Sequence, residues 1–447
     1  MNFKGKVDNY FHVSERGSSI STELIGGATT FATMAYILIY MTSSMGVIPG
    51  LNQTGVLLCT ALITALAILS VGFYANLPIC LAPVLVIPNL VANMVNSGDA
   101  TYAICFGLVF LSGIAFVLIS LFNLRDMFAR SLPKNLKFGL GAAVGVLIVR
   151  IGLGQSGLVN GNCIGFGDFS QKSTVLGLIG LVIALVLTYV TFKGKDGKMY
   201  KIQGSLLISI ILTTIIGLFM GVVSFPKNIF THAAFSSIGD TAFKLDILGA
   251  LKLKYLPFVL MLLINDFFGT TGSGLALAGK ANLLDKDGNF PQFGKLFIVD
   301  SSFTVIGSIF GLTTISTFAE SAAGIGSGSR TGLSNVSTAF FFLLCMFIAP
   351  LFLMIPGAAT GAALIIVGLS MLETLANVDF TPEEFVPVGA MMMVTAFMFD
   401  YVGGIVIGMF IYVLIQILKA IFHKDATQIP SVPVWILTAL MALYFVF

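Results

Sequence analysis

Residues 313–332 read TTISTFAESAAGIGSGSRTG. β-Branched and hydroxyl side chains lead to one carboxylate, Glu320, and then to four glycines among small residues, with strongly apolar sequence on either side. Backbone that leaves helical geometry at membrane depth exposes N–H and C=O groups that lipid cannot satisfy, so it persists only inside protein or along a wet cavity. The alternative is an exposed loop with a solvated Glu320. The flanks, however, lack the Pro, Asn, Asp and Lys density of the loop sequence DKDGNFPQFGK at 285–295.

The membrane setting follows from composition. The 447 residues are 57% hydrophobic and 10% charged, with mean hydropathy +1.00, whereas soluble domains carry about 25% charged residues. The chain therefore reads as an all-α polytopic membrane protein. Its polar start, MNFKGKVDNYFHVSERGSS, has mixed charge and precedes an apolar run too long for a signal peptide, so the first helix is expected to direct insertion. A net charge of +3 without a dense basic tract disfavours nucleic acid as a partner. Cys59, Cys80, Cys105, Cys163 and Cys345 are scattered, without CxxC spacing, and read as small buried hydrophobes.

A hydrocarbon core of about 30 Å takes about 20 helical residues. Apolar runs of that order centre on 23–48, 54–74, 78–96, 101–123, 137–154, 173–192 and 204–224, then on 254–280, 294–313, 314–331, 332–354, 357–373, 384–400 and 402–420. The spacing predicts 14 transmembrane segments in two sets of seven, with a terminal apolar piece at 431–447 that either crosses or lies in the interface. With the N-terminus cytoplasmic, 17 of the 23 Lys and Arg fall in inside loops, as the positive-inside rule requires. Among them are Arg125, Arg130, Lys195, Lys198, Lys286 and Lys424. The resulting division is a cytoplasmic N-terminus (1–22), a first seven-helix repeat (23–224), an extracytoplasmic connector (225–253), a second repeat (254–420) and a C-terminal segment (421–447). Seven is odd, so the second repeat enters the membrane in the opposite sense to the first.

The third span, NLPICLAPVLVIPNLVANM, contains Pro78, Pro83 and Pro88, and occupies the same place in its half as the opening stretch does in the other. Interrupted segments at matching positions of two inverted repeats mark a transporter's substrate site. In the tenth span, residues 313–318 favour a short extended segment. Residues 320–330 can start a short helix with Glu320 at its N-terminus, where free amide donors meet a ligand.

Ionisable groups inside a bilayer are functional candidates by default. Glu320 and Asp266, the latter within LPFVLMLLINDFFGTTGSGLALAG, qualify. For Asp266 a plain interhelical hydrogen bond is the rival reading. Asp300, at the start of a span, and Asp400, at the junction of two, read as structural groups within reach of headgroups. GIGSGSR lacks the Lys-Ser/Thr ending of a phosphate-binding loop. His12, His232 and His423 lie outside the spans, and no GxSxG or HExxH with a partner occurs, so an intramembrane enzyme is disfavoured and no metal site or cofactor is expected.

GGATTFATMAYILIYM, ANLPICLAP, AGKANLLDKDGNFP, STFAESAAGIGSGSRTGLS and GAALIIVG resemble, in order and spacing, segments of the nucleobase:cation symporter-2 family, in its AzgA-like branch of adenine, guanine and hypoxanthine permeases. The resemblance covers nearly the whole chain. It implies core and gate domains built from 7+7 inverted repeats, short strands in helices 3 and 10, proton-coupled uptake through the cell membrane, and a homodimer.

By that resemblance Glu320 is the substrate-binding carboxylate, and Ser321 and Ala322 begin the half-helix that contacts the base. On helix 8 the branch's D-L-F-D-T-x-G-T is here D-F-F-G-T-T-G-S, so Asp266 keeps the first acid while Gly269 replaces the second, ahead of Thr270. On helix 3 A-P-G-M-G-L-N-A has become A-P-V-L-V-I-P-N, retaining Pro83 and offering Asn89. Thr30 and Phe31 on helix 1 complete the expected site. Glu320 and Asp266 are the expected proton carriers, with H+ as the coupling ion. The changes on helices 3 and 8 keep open a different small nitrogen-rich, even cationic, solute. An anion transporter of the same fold is the more distant alternative, since Glu320 would repel its ligand.

Overall fold

The computed structural model of the chain describes residues 3–122, 133–160, 165–193, 199–202, 204–230, 234–285, 290–398, 400–423 and 430–446. Cys163, His232, Arg125, Arg130, Lys195, Lys198, Lys286 and Lys424 lie outside the described residues.

Capping chemistry begins several helices. Ser19 accepts from the Thr22 N–H at the head of α2 (Ile20–Met34), after α1 (Phe3–Phe11). Asn52 accepts from Thr54 ahead of α4 (Gln53–Ser70), which follows α3 (Tyr36–Met45). Such caps satisfy amides that a helix leaves unpaired at its first turn. α4 runs into a π-turn (Val71–Ala75) and ends at Asn76 in the left-handed region, φ 50°, a conformation that asparagine tolerates. The first half continues through β1 (Leu81–Pro83), α5 (Ile87–Asn96), α6 (Tyr102–Leu121), α7 (Lys134–Gln155), α8 (Lys172–Tyr189), β2 (Thr191–Lys193), β3 (Met199–Lys201) and α9 (Ser205–Phe219).

Two short helices, α10 (Ser237–Thr241) and α11 (Ile247–Ala250), lie in the connector. The second half comprises α12 (Leu256–Lys280), α13 (Phe293–Ile309), β4 (Ile315–Thr317), α14 (Ser321–Gly326), α15 (Leu333–Phe347), α16 (Ala349–Leu353), α17 (Gly357–Met371), α18 (Pro382–Met398) and α19 (Tyr401–His423). The terminal apolar piece forms α20 (Val432–Ala442), packed on α12 and α19. Among the described residues eight helices are long and apolar enough to cross a membrane, with shorter apolar helices at Ser205–Phe219, Leu333–Phe347 and Val432–Phe445. The β2–β3 ribbon lies where the sequence suggested only a Lys-bearing loop.

The packing mixes the two halves. α2 and α4 pack on α15, α2 on α14, and α6 on α12 and α13, which makes one group. α7 packs on α17 and α18, α8 on α9 and α17, and α18 on α19, which makes the other. β1 and β4 join the halves within the first group as an antiparallel ribbon, pairing Leu81 with Thr317, Ala82 with Ser316 and Pro83 with Ile315. The ladder extends through Phe318 N–H to Cys80 O at 3.0 Å and Val84 N–H to Thr314 O at 2.8 Å. In a two-stranded ribbon each strand has an outer edge, so Pro83 is tolerated despite its missing donor.

Close backbone approach holds the second group. A Cβ on Gly361 would stand 2.6 Å from the Gly152 carbonyl and one on Gly152 2.7 Å from the Gly361 carbonyl; Gly145 and Gly368 repeat the pattern further along α7 and α17. Without a hydrophobic drive between helices in lipid, such small-residue seams carry the association. Gly361→Ala is expected to cost about 1–3 kcal/mol through overpacking and to lower the thermal unfolding midpoint of the purified protein. Gly154→Ala, where a Cβ meets nothing within 4 Å, leaves the midpoint in place; equal midpoints for the two variants would contradict the seam.

Candidate functional site

The two broken segments meet at Glu320. β4 leads through Phe318 and Ala319 to this residue, which stands at the N-cap of α14 as the sequence anticipates. Its half-buried carboxylate accepts a hydrogen bond from the Tyr36 hydroxyl at 2.6 Å. Tyr36 is itself buried, at the start of α3. The Thr33 hydroxyl lies 3.3 Å from the Glu320 carbonyl oxygen. An open cavity of about 250 Å³ is lined by Thr33, Ser205, Leu206, Ala319, Glu320, Ala322 and Ala323. Ser205 and Leu206 come from α9, so the cavity lies where the two helix groups face each other.

The remaining expected site residues divide by position. Ala322 borders the cavity. The Ser321 hydroxyl is committed to structure, donating to Phe318 O at 2.7 Å and accepting from Cys80 N–H at 3.0 Å. The N–H groups of Ser321, Ala322 and Ala323 bond back to the carbonyls of Phe318, Ala319 and Glu320, at 3.1, 2.9 and 2.9 Å. The free donors anticipated at this helix start are therefore already used in its own turn. Thr30 is buried against Gly324, where a Cβ would stand 2.2 Å from its hydroxyl. The Phe31 ring stacks on Phe341 at 5.3 Å and meets Phe342 edge-on at 5.2 Å, so it is engaged with α15. Asn89 donates to the Tyr40 hydroxyl, which donates to Leu85 O, tying α5 and its approach to α3. Pro83 is buried within the ribbon.

Gly269 is exposed on α12, and a Cβ there would meet only the Ser316 hydroxyl, at 3.5 Å. Hydroxyl groups beside it tie β4 down. Thr270 hydrogen-bonds Ser316 at 2.7 Å and donates to Asp300, Ser273 pairs with Thr317, and Thr304 on α13 lies 3.0 Å from Ile315 O and 3.1 Å from Ile315 N. Asp266 accepts from Thr304 at 2.8 Å. The position expected for Asp300 needs correction: it stands well inside α13 with no exposure, and its carboxyl accepts from Thr270 of α12 as that of Asp266 accepts from Thr304 of α13. Asp400 accepts from the Gly403 N–H at 2.8 Å, a structural cap on α19 as read from its place between spans.

Tyr36 and Thr33 did not stand out in the sequence. The available signal was a tyrosine inside an apolar span, three residues after a threonine, a spacing that an unbroken helix would put on one face; in the structure Thr33 lies in the last turn of α2 and Tyr36 opens α3. Ser321→Ala would strand the buried Cys80 amide, at a cost of about 1–3 kcal/mol. Thermal unfolding should register this as a lower midpoint than wild type; an unchanged midpoint would mean that the amide has another acceptor.

The chain matches the Permease family over residues 21–403. It is 33% identical over 420 residues to the guanine/hypoxanthine permease GhxP of Escherichia coli O157:H7, covering 90% of each chain. It is 30% identical over 423 residues to the adenine permease AdeQ of Escherichia coli K12, covering 93% of this chain and 92% of that protein. Among solved structures it is similar to the transmembrane domain of a cyanobacterial bicarbonate transporter, BicA, with TM-score 0.58 at 17% identity, over 87% of this chain and 96% of that one. The BicA likeness bears on the fold, which is the 7+7 inverted-repeat architecture. The family match agrees with the nucleobase:cation symporter-2 resemblance carried by the sequence motifs.

Proposed function

The chain belongs to the Permease family, and on that premise we propose that it is a secondary active transporter importing a purine nucleobase, adenine, guanine or hypoxanthine, together with protons. The observation that carries this reading is the Glu320 carboxylate, held by Tyr36 and bordering an open cavity. Purines present N–H donors in one plane, and a carboxylate accepts such donors through charge-assisted bonds. Among the described residues the cavity lining contains one acid and no basic side chain, which favours an N–H-bearing solute over an anion. The likeness to a guanine/hypoxanthine permease and an adenine permease supports the purine assignment.

In this reading the first helix group is the core, which carries the ribbon and Glu320, and the second is the gate. Rigid-body rocking or an elevator-like displacement of core against gate gives alternating access. The protein acts as a homodimer in the cell membrane with its N-terminus cytoplasmic. Proton coupling passes through Asp266 and Glu320.

Uptake of labelled hypoxanthine, guanine and adenine into cells lacking their own purine permeases tests the proposal. Accumulation is expected, and a protonophore should abolish it. Glu320→Gln should weaken uptake by about tenfold or more, the equivalent of losing a hydrogen bond to a charged group. Undiminished uptake by that variant would overturn the role of Glu320.

A further inference from the structure

We propose that Asp266 and Asp300 together form one proton-binding site, and that its occupancy resets the hydrogen bonds of β4, the strand that positions Glu320. The inference rests on the transport reading above but adds Asp300 to Asp266 and places the proton at two carboxyls that do not line the Glu320 cavity. Asp266 is 2% exposed and Asp300 fully buried. Each carboxyl has one oxygen hydrogen-bonded, Asp266 by Thr304 and Asp300 by Thr270, and each has its other oxygen, Oδ1, buried with no partner. The bonds cross between the helices, Thr304 of α13 to Asp266 of α12 and Thr270 of α12 to Asp300 of α13, which brings the two carboxyls to the same buried seam. There, like charges out of water disfavour joint ionisation, and a single proton held by the pair relieves the repulsion.

Among the described residues, the Oδ1 atoms of both carboxyls have no hydrogen-bond partner, cationic or otherwise. Titratable side chains on the elements packed against α12 and α13 include Cys59 on α4, Tyr74 in the π-turn, Cys105 on α6, Lys137 on α7, Tyr401 on α19 and Glu320 ahead of α14. Lys137 stands over the Phe268 ring at 5.3 Å, Tyr401 donates to Asn265 at 3.1 Å, Glu320 accepts from Tyr36, and Cys105 lies among apolar neighbours including Leu262.

The link to β4 follows from counting hydroxyl protons. Thr304 has one proton and two acceptors within reach, Asp266 Oδ2 at 2.8 Å and Ile315 O at 3.0 Å. Facing an ionised Asp266, it donates to the carboxylate. Facing a protonated Asp266, it can accept from the acid and turn its own proton to Ile315. Thr270 occupies the same position between Asp300 and Ser316. One proton entering the pair therefore changes what holds Ile315 and Ser316, five and four residues before Glu320 in the chain. Asp300 acts as a positioning residue, since it reaches the ligand site through β4.

Two measurements on the full-length protein decide the matter. In proteoliposomes, accumulation of hypoxanthine driven by an inward proton gradient is compared with hypoxanthine counterflow, which needs no gradient. For Asp300→Asn and Asp266→Asn the ratio of accumulation to counterflow is expected to fall by about tenfold or more, within the usual range of coupling between linked sites. The pH dependence of accumulation should flatten with it. A wild-type ratio in both variants would overturn the proposal, and so would a requirement for sodium ions with no response to the pH gradient. The second measurement needs no substrate and stands even if purine transport fails: an infrared pH titration of the purified protein. Wild type should keep a protonated buried carboxyl band at neutral pH, and either Asn variant should change its titration. Absence of that band from wild type, or identical titrations in all three proteins, would overturn the assignment.

Discussion

A peptide group at membrane depth that is not in a helix must find its hydrogen bonds within the protein. The pairing of Leu81–Pro83 with Ile315–Thr317 answers that requirement. One interrupted segment from each half enters this pairing. Set side by side, the two breaks satisfy each other, and the ribbon they form fixes where α5 and α14 begin. Hydroxyl groups on α12 and α13 complete the arrangement from outside, with Thr270, Ser273 and Thr304 each bonded to a residue of β4.

Glu320 depends on this construction. A carboxylate in an apolar setting is costly unless donors meet it, and here Tyr36 provides one while the cavity leaves access to a ligand. The donor comes from the head of α3 in the first half and the acid from the N-cap of α14 in the second, so the site exists only when both halves are packed. The cavity also borders α9 of the other helix group, which makes it a place where relative movement of the two groups changes access.

Much of this was legible in the sequence. Prolines at 78, 83 and 88 and the glycines after Glu320 marked the two interruptions, and their matching positions pointed to inverted repeats. The N-terminal placement of Glu320 on a short helix followed from the same composition. Other features could not be read, because they depend on what lies opposite in space. No local pattern sets Pro83 against Ile315, or turns Tyr36 toward Glu320 rather than toward lipid. Asp300 resembled a residue near a span's edge because the Lys-bearing loop lies close in sequence, whereas in space it is fully buried and faces Thr270 of α12. The amides of Ser321 and Ala322 resembled free donors because a helix start has them in principle; the tight turn from Phe318 uses them first.

The central claim is that the ribbon holds Glu320 as the acceptor for a planar N–H-bearing ligand between the two helix groups. A structure of the protein with bound hypoxanthine tests it most directly. The account predicts the base in the cavity lined by Thr33, Ala322 and Ser205, with a ring N–H about 3 Å from the Glu320 carboxylate. A base bound elsewhere, or one whose N–H groups face away from Glu320, would contradict it.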